Sequence, residues 1–91
     1  MEQPETYEIG TAVVSRIVGD ETVIVDLETE TYFGLNQVGS VIWSEMEKRA
    51  SVPAIVDVVV GRFDVSSERA TEDVRTLLGD LQRAGLARPV E

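Results

Sequence analysis

The side chains that could carry chemistry in this 91-residue chain are almost all carboxylates, because cysteine and histidine are both absent. Without cysteine there is no disulfide, thiol nucleophile or zinc-thiolate site. Without histidine the commonest general base and transition-metal ligand is missing. The sequence therefore disfavours an enzyme and predicts neither a metal site nor a cofactor.

The remaining candidates for chemistry are two acid pairs and one serine. Asp26 with Glu28, and Glu72 with Asp73, are carboxylate pairs of the kind that perform acid–base work or bind hard cations. The first pair falls at a predicted turn and the second on a solvated helix face, and neither has a ligand-rich loop. Ser40 lies near a predicted helix start with no base to activate it. We expect none of the five to act in catalysis or to bind a metal ion.

The charge of the chain is high and lies entirely in its first half. The net charge is −9, and residues 1–47 contain ten acids with Arg16 as their single base. Such a surface repels phosphate backbones, which disfavours nucleic acid and favours a basic or neutral peptide partner. No apolar run approaches the roughly 20 residues of a membrane helix. The acidic N-terminus is unlike a secretory signal, which predicts a cytoplasmic protein with no membrane partner.

Three short β segments open the chain, which at this length holds one domain. We predict a flexible arm over 1–10 and strands over Thr11–Val18, Thr22–Leu27 and Thr31–Leu35, all rich in β-branched or aromatic residues. The connecting turns are short, which favours an antiparallel meander. Alternation places Val23, Val25 and Leu27 on one face of the second strand.

The hydrophobic period then changes from two to 3.6, which predicts three helices. Asn36, Ser51 and Ser66 are the expected N-caps. Pro53 suits the first turn of the second helix, although Val58–Val60 alone is also compatible with a strand. The third helix is the longest, about 18 residues, with Gly85 as its stop signal. Helices that follow a hairpin sheet predict an α+β fold, a three-stranded antiparallel sheet against three helices.

The open edge of the third strand is the best candidate for a binding surface. An unpaired strand edge either is protected or accepts a partner peptide as an added strand. The third helix would form the second wall of such a groove. Phe33 and Leu35 are expected to point inward, on the side of the sheet opposite to Tyr32.

One continuous passage, Val23 to Trp43, resembles the PqqD-like family. The matching elements are a hydrophobic strand, Asp26-Leu27, a turn, Tyr32-Phe33-Gly34-Leu35-Asn36, then Gly39 and Ile42-Trp43. Phe63-Asp64-Val65 and the apolar positions of the third helix also look like that family. The resemblance covers roughly residues 11–88, with a tail over 89–91.

The resemblance implies a peptide-binding domain with a winged helix-turn-helix-like fold and no catalytic activity. Such domains are recognition elements in the biosynthesis of ribosomally made, post-translationally modified peptides. They bind the leader segment of a precursor as an extra antiparallel strand on the third strand, against the third helix. A free-standing chain of this size looks most like the leader-binding protein of lasso-peptide pathways, with a separate leader protease and cyclase as partners.

The same resemblance implies which residues bind the peptide. On the third strand they are Thr31, Tyr32, Phe33, Gly34 and Leu35. On the third helix they are Ala70, Asp73, Val74, Leu77, Asp80 and Leu81, with Leu77 and Leu81 forming apolar pockets and the two aspartates meeting polar or basic side chains. Gly34, Asn36, Gly39 and Trp43 match the family too, and we interpret these as structural, with the glycines relieving crowding.

Three alternatives remain open at this point. One is a structural subunit of a larger complex, which would have no affinity for a free peptide. The resemblance also fits a carrier of the precursor of coenzyme PQQ, which would deliver it to a radical-SAM enzyme. The fold topology is also that of winged-helix DNA-binding proteins, whose third helix needs a basic exposed face. Here the acids of that helix outnumber Arg69, Arg75 and Arg83, which disfavours DNA binding.

Overall fold

A computed structural model describes residues 4–90. The elements follow one another as β1 (Thr6–Ile9), β2 (Val13–Val18), β3 (Glu21–Asp26), β4 (Thr31–Leu35), α1 (Gln37–Glu47), α2 (Val52–Arg62), α3 (Ser67–Arg83) and β5 (Ala87–Val90). Strands β2, β3 and β4 form one antiparallel sheet in that order, followed by the three helices. The predicted α+β architecture is therefore confirmed.

Tight turns hold the three-stranded meander in register. Gly19 adopts a positive φ of 67° between β2 and β3, a conformation that costs glycine little. After β3, the buried carboxylate of Asp26 accepts hydrogen bonds from the backbone N–H groups of Glu28 and Thr29, at 2.9 and 3.1 Å. Asp26 therefore stabilises a turn, which agrees with the position predicted for it.

The chain ends form a second sheet that the sequence did not predict. Residues Thr6–Ile9, placed in a flexible arm, and Ala87–Val90, the last two of which were placed in a tail, pair as antiparallel β1 and β5. Buried Tyr7 joins the core, and Glu8 forms an ion pair with its cross-strand partner Arg88. Both predictions are wrong over these residues, because nothing local in either segment signals a partner at the opposite end of the chain. Residues 1–3 and 91 lie outside the described residues.

The helices begin where their predicted caps stand. The side chains of Asn36, Ser51 and Ser66 accept hydrogen bonds from backbone N–H groups three residues later, at 2.9, 3.3 and 3.1 Å. Val58–Val60 is helical, and Gly85 ends α3 with a φ of 78°. None of the helices between residues 4 and 90 is long and apolar enough to cross a membrane.

The core lies between the helices and the inner face of the sheet. Ile24 and Leu35 contribute from the sheet, and Trp43 and Leu78 from the helices, all at 5% exposure or less. The inner face of β3 is formed by Thr22, Ile24 and Asp26. Val23 and Val25 share the other face of β3, which points away from the helices, and Leu27 follows the strand as an exposed residue.

Candidate functional site

A cleft of about 540 Å³ separates β4 from α3. It extends from the end of the sheet across the start of α1 to one side of α3. The side chains and backbone that line it belong to Phe33, Gly34, Leu35, Asn36, Val38, Gly39, Ile42, Arg69, Asp73, Thr76, Leu77 and Asp80. The cleft is open to solvent, so a segment of polypeptide can reach it.

The β4 wall of the cleft is a free strand edge. In the described part of the chain β4 pairs with β3 alone, so its other edge is left without a strand partner. Unpaired N–H and C=O groups along such an edge can hydrogen-bond to an added strand. Leu35 is buried and Phe33 half-buried against the core, while Tyr32 is exposed on the opposite face. The predicted orientation of this strand is therefore confirmed.

The α3 wall of the cleft is apolar at its centre and charged on both sides. Leu77 is half-buried and packs against the edge of the core. Asp73 accepts from Arg69 Nε at 3.3 Å, one turn before Leu77, and Asp80 forms an ion pair with Arg83 one turn after it. Such a wall can hold an apolar side chain between polar or basic neighbours.

Six of the predicted binding residues line this cleft. They are Phe33, Gly34, Leu35, Asp73, Leu77 and Asp80. Thr31 and Tyr32 belong to the same strand but do not line the cleft.

Three predicted residues of α3 lie in the core instead. Ala70, Val74 and Leu81 are fully buried, with Leu78 between them. The expectation that they contact a peptide, and that Leu81 forms a pocket, is corrected by this placement. Val74, Leu78 and Leu81 follow Ala70 by four, eight and eleven residues, the spacing of the apolar stripe of a helix, and the centre of that stripe packs inward.

The sequence reasoning missed several cleft residues, although a signal was present for two of them. Arg69 and Thr76 share the face of Asp73, Leu77 and Asp80, at spacings of three and four residues. The prediction included Asp73, Leu77 and Asp80 of this face and left out the other two residues. Val38 and Ile42 form the floor through a strand-to-helix bend that no local pattern reveals.

The structural interpretations of Gly39 and Trp43 agree with the packing. A Cβ at Gly39 would lie 3.2 Å from Leu35 side-chain atoms and 3.4 Å from Asn36 Oδ1, so crowding selects glycine there. Trp43 is buried in the core. Gly34 differs, because a Cβ there would meet nothing within 4 Å and no crowding is relieved.

The acids between residues 4 and 90 form no second site with evident chemistry. A polar cavity of about 650 Å³ lies beside β1. Its lining includes the acids Asp26, Glu28 and Glu47 and the bases Arg49 and Arg88. Among residues 4–90, no group of three or more acidic side chains is arranged to hold a metal ion. The cleft between β4 and α3 is therefore the stronger candidate.

Comparison with known proteins places this geometry in a family. Residues 21–87 match the family described as coenzyme PQQ synthesis protein D, PqqD, and so include both walls of the cleft. The chain belongs to the PqqD family. This membership confirms the resemblance drawn from the passage between Val23 and Trp43.

Two solved structures share the fold of this PqqD-family chain. The one described as TbiB1 in complex with the TbiA(beta) leader peptide is 37% identical, with a TM-score of 0.86 over 92% of this chain and 98% of that chain. The one described as lasso peptide synthetase B1 complexed with the leader peptide is 18% identical, with a TM-score of 0.83 over 91% and 98%. No curated protein sequence matches the chain.

Proposed function

We propose that this PqqD-family protein binds the leader segment of a ribosomally made precursor peptide. The leader adds to the free edge of β4 as an antiparallel strand and lies in the cleft against α3. The observation that carries this proposal is the unpaired β4 edge facing an open cleft whose other wall is apolar at Leu77 and acidic at Asp73 and Asp80. Main-chain hydrogen bonds supply affinity and the α3 side chains supply selectivity.

The comparison with TbiB1 supports this use of the cleft. That protein is described in complex with a leader peptide, and it matches this chain along nearly its whole length at 37% identity. Neither histidine nor cysteine is present in this sequence, so the side chains offer no conventional nucleophile–base pair. In this proposal the protein performs no reaction of its own and acts in the cytoplasm, where the precursor is made.

The pathway we propose is lasso-peptide biosynthesis. A leader-binding protein that does no chemistry needs separate enzymes to act on the precursor, here a leader protease and a cyclase. The relationship to TbiB1 and the fold shared with a lasso peptide synthetase B1 support this pathway over delivery of a coenzyme PQQ precursor to a radical-SAM enzyme.

The charges on α3 disfavour the alternative of DNA binding. Arg69 is paired with Asp73, and Arg83 with Asp80, so two of its three arginines already have acidic partners. The net charge of −9 adds general repulsion of a phosphate backbone.

An NMR titration of isotope-labelled protein tests the proposal. The titrant is the synthetic leader of the small precursor encoded beside the gene. We expect shifts confined to Thr31–Leu35, the start of α1 and the Arg69–Asp80 face of α3. The leader of a coenzyme PQQ precursor should cause no shifts at equal concentration. Folded protein that shows no shifts with the lasso-type leader would contradict the function, and stronger binding of the PQQ-type leader would contradict the pathway.

A further inference from the structure

Gly34 lies within β4, although no feature of the described chain requires glycine there. Glycine weakens a strand, and it often marks a positive φ, a bulge or a place where another molecule comes close. The φ of Gly34 is not positive, and the register of β3 with β4 runs past it without a bulge, with Val23 directly opposite. A Cβ at Gly34 would meet nothing within 4 Å, so crowding does not select glycine either. Close approach of a ligand is the reason that remains.

The hydrogen bonds of the sheet show which residues of β3 bond to which neighbouring strand. Along an antiparallel strand, consecutive residues direct their N–H and C=O groups alternately to the two sides. The N–H of Leu27, just after β3, donates to Ala12 O at 3.0 Å, and these two residues continue the register of β2 with β3. Counting back in twos from Leu27, the odd-numbered residues of β3 bond to β2. The even-numbered residues of β3 therefore bond to β4.

The same alternation leaves the main-chain groups of Tyr32 and Gly34 at the free edge. The register opposes the even-numbered residues of β3 to Thr31, Phe33 and Leu35, so these three are the ones bonded to β3. An added antiparallel strand would therefore bond to Tyr32 and Gly34. Directly opposed residues share a face of the sheet. The added residue opposite Gly34 thus has its side chain on the face that points away from the helices, here called the outer face.

The outer face around Gly34 is apolar and exposed. Val23 lies directly across from Gly34 on β3 and is 38% exposed, and Tyr32 lies two residues away on β4 and is 71% exposed. Val25 is the cross-strand partner of Tyr32 and adjoins both side chains. Because Gly34 has no side chain, this surface contains a gap that runs from the free edge of β4 to Val23.

The gap fits an aromatic ring supplied by the added strand. Neighbouring strands lie about 4.8 Å apart, so the main chain of the added strand would be about 9.6 Å from that of β3. A short side chain would leave Gly34 and Val23 uncovered, whereas a ring can lie across the glycine and contact the valine. An aromatic side chain on a neighbouring strand stabilises an edge glycine in this way. Tyr32 borders the same gap and can pack against the ring.

We propose that Gly34 selects a leader with an aromatic side chain at the residue that bonds to the Gly34 main chain. This inference rests on the proposed function, in which the leader adds to β4 as an antiparallel strand. The ring covers Gly34 on the outer face, while the adjacent leader residue, opposite Phe33, points into the cleft beside Leu77. The protein therefore recognises side chains on both faces of the added strand, and Gly34 determines specificity through the space it leaves.

A double-mutant cycle between Gly34→Val and alanine variants of the leader tests this proposal. Valine fills the gap and favours a strand, so the urea midpoint of the variant should be at least that of the unmodified protein. We expect Gly34→Val to raise the calorimetric dissociation constant for the synthetic leader at least tenfold. Alanine at one aromatic residue of the leader should weaken binding to the unmodified protein at least tenfold. That alanine peptide should bind Gly34→Val and the unmodified protein equally, within twofold.

Gly61→Val is the matched control, because Gly61 is an exposed residue of α2 outside the cleft where a Cβ would also meet nothing within 4 Å. Its leader affinity should lie within twofold of that of the unmodified protein. In the NMR spectrum of the complex, the protons of the aromatic ring should show nuclear Overhauser effects to the Gly34 Hα atoms and the Val23 methyl groups.

The outcomes separate this inference from the proposed function. Unchanged leader affinity in Gly34→Val overturns the inference, as does a leader whose β4-bound segment contains no aromatic residue. Equal weakening of the leader and of all its alanine variants by Gly34→Val also overturns it, because glycine would then serve strand addition itself. In each of these cases the leader still binds the unmodified protein and the proposed function stands. Failure of the unmodified protein to bind the leader would overturn the proposed function, on which this inference depends.

Discussion

Leu77 lies at the centre of the cleft, where an apolar leader side chain would pack. Replacing it by glutamate places a carboxylate where the proposed peptide excludes water, and burial of an unpaired charge is costly. We expect Leu77→Glu to raise the dissociation constant for the leader at least tenfold, equivalent to about 1.4 kcal/mol. Calorimetric titration with the synthetic leader measures this change.

The control for this substitution adds the same charge elsewhere on the helix. Gln82→Glu lies on an exposed position of α3 that does not line the cleft, so its affinity should match that of the unmodified protein. Leu77 also packs against the core, and circular dichroism must therefore show that the variant is folded. A folded Leu77→Glu protein with unchanged leader affinity would show that Leu77 does not contact the leader.

The contrast between Leu77 and its neighbours shows what the sequence could predict at the scale of single residues. Val74, Leu77 and Leu81 share one apolar stripe, and its existence follows from helical periodicity. The structure buries Val74 and Leu81 completely and leaves Leu77 at the margin. Where a stripe passes from core to cleft depends on how the helix is rotated against the sheet, which is a property of tertiary packing.

At the scale of elements, the two-stranded sheet of β1 and β5, here called the ribbon, packs against the core. Tyr7 is buried, the N–H of Gly10 donates to Leu86 O at 3.1 Å, and the N–H of Val52 donates to Glu5 O at 2.6 Å. These bonds anchor the ribbon between α2 and the end of α3. It therefore contributes to folding rather than acting as a loose appendage.

Removal of the Tyr7 ring should destabilise the whole domain. Truncating a large buried aromatic side chain to alanine costs about 3–5 kcal/mol in other proteins. We expect Tyr7→Ala to lower the free energy of unfolding by about 3 kcal/mol in urea denaturation. Glu8→Ala on the same strand loses only a partly exposed ion pair with Arg88 and should cost less than about 1 kcal/mol. A Tyr7→Ala protein that is as stable as the unmodified protein would show that the ribbon adds little stability.

An element could be predicted from the sequence when the residues that specify it lie close together along the chain. The three helices were expected because each cap, such as Ser51 or Ser66, bonds to a backbone group three residues away. The β2–β3–β4 meander was expected because its turns are short. The β1–β5 pair was missed because Thr6 pairs with Val90, and neither segment has a distinctive pattern of its own.

At the scale of the whole molecule, the net negative charge lies in the part of the sequence that forms β1 to β4 and α1. Residues 1–47 hold ten acids and only Arg16, while the bases and acids of residues 48–91 balance. The first group includes β2, β3 and β4, so the strand edge proposed to receive the leader stands in a negative field. Such a field accelerates the approach of a positively charged ligand more than it strengthens the final complex.

A leader that carries lysine or arginine should therefore bind at a rate that depends on salt. The Debye length falls from roughly 14 Å at 50 mM to about 4 Å at 500 mM salt, which screens the field over the approach path. We expect the association rate constant in stopped-flow fluorescence to fall about tenfold over this range, with a much smaller change in the dissociation rate. A leader with its lysines and arginines replaced by glutamine should associate more slowly and show no such dependence. Equal salt dependence of the two peptides would mean that the acidic sheet half plays no part in capturing the leader, and that its charge serves another purpose such as solubility.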